Sequence, residues 1–272
     1  MSKNILKKGF PLGVYNRTKK KTEELKKLDA KVFDSPQELA KHSDVVITMI
    51  TGPKDVKEVY LGRESVVKGA KKGLIAIDMS TIGVQTAQFV HKSLKKYNID
   101  FLDAPVTGSV PKAVTGGLTI FIGGDKKIYQ KVKDIFSAMG TNLHYMGPSG
   151  TGQAMKLINN QLIATSLAGL AESMLLADVL HLSRQKVADV LATVPAISPF
   201  MKMKLSNMVS EDYTTAFSMS NMRKDLRLAL REAKKKRMPV LKLVESLFTK
   251  GVDDENLGEK DNSAILHVLK NL

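Results

Sequence analysis

Cysteine is absent from all 272 residues, which excludes a disulfide framework and thiolate zinc chemistry and makes a reducing, cytoplasmic setting the plain expectation. Any redox chemistry must therefore come from a bound cofactor. Metal-ligand spacing is also missing: His42, His91, His144, His181 and His267 are scattered, with no His-Glu-x-x-His run, so no metal is assigned. No apolar run of membrane length is free of charge. The longest, Leu162 to Leu182, carries Glu172 and Asp178, and the N-terminus has no signal-like stretch, so no membrane is expected. Acidic residues are few, 27 against 42 Lys and Arg, giving a formal charge of +15. The lysines are dispersed as Lys19-Lys20-Lys21, Lys71-Lys72, Lys95-Lys96 and Lys234-Lys235-Lys236, without aromatic interleaving or a helix-turn-helix or RNP-type motif. That pattern argues against nucleic acid and favours small anionic partners.

What is present is enough apolar residue, 43%, for two hydrophobic cores. From Leu12 to about Gly147, short apolar runs alternate with amphipathic stretches, the pattern of βαβ units and a mainly parallel sheet. Strands are expected at Leu12 to Tyr15, Val45 to Ile50, Leu74 to Met79, Ile99 to Val106, Leu118 to Ile122 and Leu143 to Met146. Helices are expected at Met1 to Lys8, Thr18 to Leu28, Ser35 to Lys41 and Val84 to Tyr97, with Asp34-Ser35-Pro36 as a start signal. After Gly147-Pro148-Ser149-Gly150-Thr151-Gly152, read as a hinge, the pattern turns helical to the C-terminus. The expected division is an α/β Rossmann-type domain over 1–150 and an all-α domain over 151–272. A long interdomain helix, 151–180, joins them and is on the order of 40 Å long. That helix is apolar on nearly every side, so a second subunit or both domains should cover it.

Three groups of residues carry candidate chemistry. Asn16-Arg17-Thr18 ends the first strand, where a dinucleotide fold reads the adenosine ribose; arginine in place of a carboxylate suits a 2′-phosphate, although an ordinary turn capped by Thr18 explains the residues equally well. Thr107-Gly108-Ser109, after Asp103-Ala104-Pro105-Val106, offers backbone N–H groups and two hydroxyls to a carboxylate, or is a tight turn between strands. Lys156 and Asn160 lie four apart on the long helix and share a face, a spacing that suits a proton donor with an orienting amide. Lys224-Asp225-Leu226 reads as surface charge on a later helix.

Taken together, these motifs resemble the β-hydroxyacid dehydrogenase family, which includes 3-hydroxyisobutyrate dehydrogenase and the glyoxylate/succinic semialdehyde reductases. The resemblance runs from Met1 to the C-terminus. It rests on Asn16-Arg17-Thr18, Asp78-Met79-Ser80-Thr81, Asp103 to Ser109, Gly152-x-x-x-Lys156-x-x-x-Asn160, Lys224-Asp225-Leu226 and Asp261-x-Ser263-Ala264, in that order. It implies a 6-phosphogluconate dehydrogenase-like C-terminal domain, a homodimer or homotetramer, and hydride transfer between NADP, rather than NAD, and a small carboxylate-bearing hydroxy acid or aldehyde acid. Lys156 would be the general acid/base and Asn160 its orienting amide. Thr107, Gly108 and Ser109, with Lys156 and Asn160, would bind substrate. Asn16, Arg17, Thr18, Met49, Ile50, Thr81 and Lys224 would meet the cofactor. Ser109 in place of the commoner glycine, with Pro111 and Ala113, looks more like the glyoxylate/succinic semialdehyde reductases.

The departure is at the front. The family opens with a strand and a Gly-x-Gly-x-x-Gly loop, and Met1-Ser2-Lys3-Asn4 resembles the helix after them, so the Rossmann-type domain is expected to be truncated at its first strand. In a sheet of order 3-2-1-4 that strand lies between those at Leu12 and Val45, so either it precedes the given sequence or its neighbours close up. Without the loop's backbone N–H groups and helix dipole, the chain as given should bind NADP poorly. A second reading stays open: a non-catalytic dimeric scaffold binding a partner or nucleic acid.

Overall fold

Short runs of Val, Ile and Phe form the strands of an N-terminal unit, Met1–Lys156, in the computed structural model, which describes residues 1–234 and 236–272. Lys235, part of one lysine run, lies outside the described residues. The strands are β1 (Gly13–Val14), β2 (Lys31–Val32), β3 (Val45–Thr48), β4 (Ile75–Asp78), β5 (Asp100–Asp103), β6 (Val106–Thr107), β7 (Leu118–Gly123) and β8 (Gly140–Gly147). β3, β4 and β5 pair in parallel, β7 runs antiparallel to β5, and β6 and β8 both pair with β7, antiparallel and parallel respectively. The sheet is thus mixed, with a parallel half that carries the loops of interest.

Alternation along the strands sorts side chains onto two faces. Ile75, Ile77, Leu102, Ile120 and Ile122 share a core with Ile5, Phe136 and Met139, from the helices Ser2–Lys7 and Lys133–Met139. Val46, Ala76 and Phe101 face Tyr60, Val90 and Leu94, from the helices Pro53–Leu61 and Val84–Lys95. Both faces are covered, which is why these strands read as continuous apolar runs.

β1 and β2 form a separate two-stranded parallel sheet, and among the described residues no ladder joins it to β3. The neighbours of the expected central strand therefore do not close up. β3 remains an edge, with Val45 and Ile47 half-buried against the first core.

Two expected elements change form. Thr18 to Leu28 is a 3₁₀ turn, Lys19–Thr22, followed by a single helical turn, Glu23–Lys26. Three adjacent lysines sit where the helix dipole is positive, which disfavours a longer helix there. The Ile99 to Val106 run splits into β5 and β6 around Ala104-Pro105, because proline has no N–H for the ladder; the Pro105 carbonyl accepts instead from Phe121 N at 3.0 Å.

The C-terminal unit, Leu157–Leu272, is helical: the greater part of Thr151–Val179, then Arg184–Leu191, Pro199–Ser210, Met219–Ala233, Pro239–Asp253 and Ile265–Lys270. Ser198 and Ser218 cap two of these, their hydroxyls accepting from Met201 N and Asn221 N. Thr151–Val179 is long and apolar enough to cross a membrane, with mean hydropathy 1.5, yet Ala164, Leu167, Leu170, Ala171 and Met174 along it form the centre of this unit's core. Lys204 and Asp261 make a fully buried ion pair at 2.6 Å, and Asp261 also accepts from Ser263 and from Ala216 N and Phe217 N.

Candidate active site

At the carboxyl edge of the sheet, each apolar strand ends on a polar residue. Thr48, Asp78 and Asp103 close β3, β4 and β5 and are register partners, so they make one row across the sheet. Thr48 Oγ1 donates to Asp78 Oδ1 at 2.7 Å and Ser80 Oγ donates to the same oxygen at 2.9 Å. Ser80 Oγ in turn accepts from Ile50 N at 2.9 Å, and Tyr60 OH lies 3.0 Å from Thr48 Oγ1. Burial pushes the Asp78 carboxyl up to about 7, against the lowering effect of the two hydroxyls, and among the described residues its Oδ2 has no hydrogen-bond partner. The network binds the ends of β3 and β4 together. From them emerge the loops bearing Met49, Ile50 and Thr81, three residues assigned to the cofactor.

Asp103 is also fully buried, and it accepts from Gly150 N at 2.7 Å and Gln153 N at 3.0 Å. Those N–H groups belong to the start of the helix Thr151–Val179, so a strand-end carboxylate serves as its cap from 47 and 50 residues away. Burial raises the Asp103 carboxyl to about 6, opposed by these backbone donors. The Gln153 side chain, buried as well, accepts through Oε1 from Ile82 N (2.9 Å) and Gly83 N (3.1 Å) and donates through Nε2 to the Ser80 carbonyl (2.8 Å). Gly152 must be glycine: a Cβ would collide with the Phe121 carbonyl oxygen and stand 2.7 Å from that of Asp103. The segment expected to act as a hinge is instead stitched to the sheet, because its donors need buried partners.

Lys156 follows one turn later and is only 6% exposed, more deeply buried than its place in the helix's first turns suggests. Thr107-Gly108-Ser109 joins β6 to the helix Ser109–Thr115, so it is not a hairpin turn. Gly108 has φ 130° and a Cβ there would meet Lys112 Cβ at 2.7 Å; Ser109, at φ 57°, adopts the left-handed region despite its side chain. At the end of β1, Asn16 Oδ1 accepts from Thr18 N at 2.9 Å, an Asx turn that leaves Arg17 exposed. The donors around it, Arg17 and Lys19 to Lys21, are cationic, and Asp34 is engaged by Lys19 at 2.7 Å. The turn is therefore lined by cationic side chains.

Within the C-terminal unit, Asn160 Nδ2 donates to Asp225 Oδ2 at 2.6 Å, and Lys224 Nζ lies 3.1 Å from Asp225 Oδ1. Asp225 is 1% exposed, so Lys224-Asp225 is not the surface pair its composition suggests: one of the two holds the Asn160 amide in a fixed orientation. Asn160 Oδ1 accepts from Asn159 Nδ2 at 3.0 Å. The sequence motifs thus locate the lysine, the asparagine, the two strand-end loops and the small-residue turn. They do not point to Asp78, Asp103 and Gln153 as the groups that tie the two strand-end loops and the start of the long helix together, although a polar residue closing each of three apolar strands is a visible signal.

Residues 1–147 match the family model described as the NAD binding domain of 6-phosphogluconate dehydrogenase, and residues 150–269 that described as NAD-binding of NADP-dependent 3-hydroxyisobutyrate dehydrogenase. The chain is 32% identical to glyoxylate/succinic semialdehyde reductase 2, chloroplastic, of Arabidopsis thaliana, over 99% of this chain and 76% of that protein. It is 32% identical to mitochondrial 3-hydroxyisobutyrate dehydrogenase of Mus musculus, over 99% and 83% respectively. Among solved structures, 3-hydroxyisobutyrate dehydrogenase of Mycobacterium tuberculosis with L-serine superposes with a TM-score of 0.87 at 28% identity, covering 99% of this chain and 94% of that one.

Proposed function

Because the chain belongs to the β-hydroxyacid dehydrogenase family and is an NAD(P)-dependent hydroxyacid dehydrogenase, we propose that it uses NADP to interconvert a short aldehyde acid and its hydroxy acid, with Lys156 as general acid/base. The observation that carries this reading is the buried Lys156 on a helix whose start is anchored to the carboxyl edge of the sheet. Succinic semialdehyde and glyoxylate are the substrates to try first, because Ser109 at the turn adds a hydroxyl where glycine is commoner and one relative reduces both.

Arg17, Asn16 and Thr18 would hold the adenosine end of the nucleotide, while Met49, Ile50 and Thr81, on loops braced by Asp78, would line its nicotinamide end; Lys224 would complete the contact. When bound, the nicotinamide supplies the two reducing electrons. The turn Thr107 to Ser109 orients the substrate carboxylate through backbone N–H groups and hydroxyls. Lys156 Nζ hydrogen-bonds the carbonyl oxygen and delivers to it the proton that becomes the hydroxyl hydrogen; in oxidation the same Nζ removes it. Asn160, held by Asp225, donates or accepts beside that lysine and limits the rotamers available to it. Burial excludes water from the donor and strengthens its hydrogen bond to the developing alkoxide.

A general acid contributes about 10²–10⁴-fold to rate. Lys156→Ala should therefore lower kcat for NADPH-dependent reduction by about 10³-fold and change NADPH affinity little. Turnover undiminished in that variant would remove Lys156 from the mechanism.

The same reading includes self-association. Ile158, Leu162, Leu176, Val179 and Leu180 are exposed along the long helix and its end, with Gly169 open to solvent between them. Exposed Glu172 and Ser173 interrupt this face, and the apolar stretches on either side of them fit a second copy of the chain.

A further inference from the structure

The proton donor and one of the cofactor loops are linked by a single side chain. Gln153 and Lys156 are three apart on the helix and Asn160 four further, so the three lie along one face. Three of the four hydrogen bonds that the Gln153 amide can make go to the loop beside Thr81: two acceptor contacts, from Ile82 N and Gly83 N, and one donor contact, to Ser80 O. Asp103 holds the same turn from its other end by taking up Gly150 N and Gln153 N, donors that would otherwise be buried without partners. Gly152 lets the backbone come down onto the Asp103 and Phe121 carbonyls. Lys156 is too buried to recover a lost position by swinging its stem.

We propose that Asp103 and Gln153 are positioning residues, a two-point clamp that sets the height and rotation of the helix carrying Lys156 relative to the Ser80 to Gly83 loop. The proposal rests on the reading of Lys156 as acid/base, and it assigns the clamp no contact with substrate or cofactor. It explains why the helix begins with donors turned inward on a strand end and why a buried glutamine sits three residues before the lysine. A displacement of about 1 Å at a reacting group costs on the order of 10²-fold in rate. The clamp therefore acts chiefly on kcat and touches nucleotide binding only through Thr81, one of several cofactor contacts.

The test compares Gln153→Met, which keeps volume and loses three hydrogen bonds, with Gln153→Glu, which keeps both acceptor contacts, and with Asp103→Asn. NADPH-dependent reduction of succinic semialdehyde and the NADPH dissociation constant are measured for each beside the parent and Lys156→Ala. The expected result is kcat lowered about 30- to 100-fold in Gln153→Met, partial rescue in Gln153→Glu, and NADPH affinity within about threefold of the parent. Unchanged kcat in Gln153→Met, or kcat and NADPH affinity falling together, overturns the clamp. If Gln153→Met fails to fold, Gln153→Glu and Asp103→Asn decide by the same split. If the parent shows no turnover, or Lys156→Ala retains all of it, the functional reading fails by itself and amide hydrogen exchange judges the clamp. Faster exchange confined to Ile82, Gly83, Gly150 and Gln153 in the variants supports it, and unchanged exchange at those amides overturns it.

Discussion

Replacing Asp78 by asparagine removes a charge that the fold holds entirely out of water. In the folded protein the carboxyl titrates near 7, pushed up chiefly by burial; an unstructured aspartate titrates at 3.8. Between those two values the folded state holds more of this proton than the unfolded state does, so stability declines as pH rises through the window. About three pKa units at 1.36 kcal/mol each give about 4 kcal/mol lost by pH 8 and between about 1 and 2 kcal/mol lost by pH 5. Asparagine escapes that loss while its Oδ1 still accepts from Thr48 and Ser80. Its amide nitrogen takes the place of Oδ2, which has no partner, at a cost of about 1–3 kcal/mol for a buried unsatisfied donor. Asp78→Asn should thus be more stable than the parent by about 1–3 kcal/mol at pH 8, with the advantage shrinking by between about 2 and 3 kcal/mol at pH 5. Urea unfolding followed by circular dichroism measures this directly, the chain having no tryptophan to report by fluorescence. A stability difference that is the same at both pH values would refute the reasoning, because only an ionisation confined to the fold makes it vary.

Lys204→Met should destabilise the C-terminal unit by about 3–5 kcal/mol in thermal or urea unfolding, since it leaves the buried Asp261 carboxylate without its cation. Arg17→Ala should raise KM for NADPH by about 10- to 100-fold, the worth of a lost charge-assisted phosphate contact, and leave KM for NADH nearly unchanged; equal effects on both nucleotides would place Arg17 elsewhere. Leu162→Glu, in the exposed stripe of the long helix, should shift sedimentation toward the monomer with the circular dichroism spectrum preserved.

Patterns with a short period were legible in the sequence. Val45 to Ile50, Leu74 to Met79 and Leu118 to Ile122 contain strands because β-branched runs bounded by turn residues have few other solutions. The Lys156 and Asn160 spacing locates the helix face directly. β2 escaped notice because Lys31–Val32 is too short to show alternation, and the β5/β6 break is marked only by Pro105. The clamp was hidden for a different reason. Asp103 meets Gly150, and Gln153 meets Ile82, across 47 and 71 residues, and which residues meet at that separation depends on sheet register and helix placement. By composition an acidic residue beside a lysine looks solvated, and only packing brings the Asp225 oxygen to the Asn160 amide.

The small β1–β2 sheet has only two register pairs, held at its ends by Lys31 N to Leu12 O and Phe33 N to Val14 O, both at 2.9 Å. The Asn16-Arg17-Thr18 turn that follows Val14 is fixed locally, by Asn16 Oδ1 accepting from Thr18 N. Its shape is therefore set by one side chain rather than by the ladder beside it.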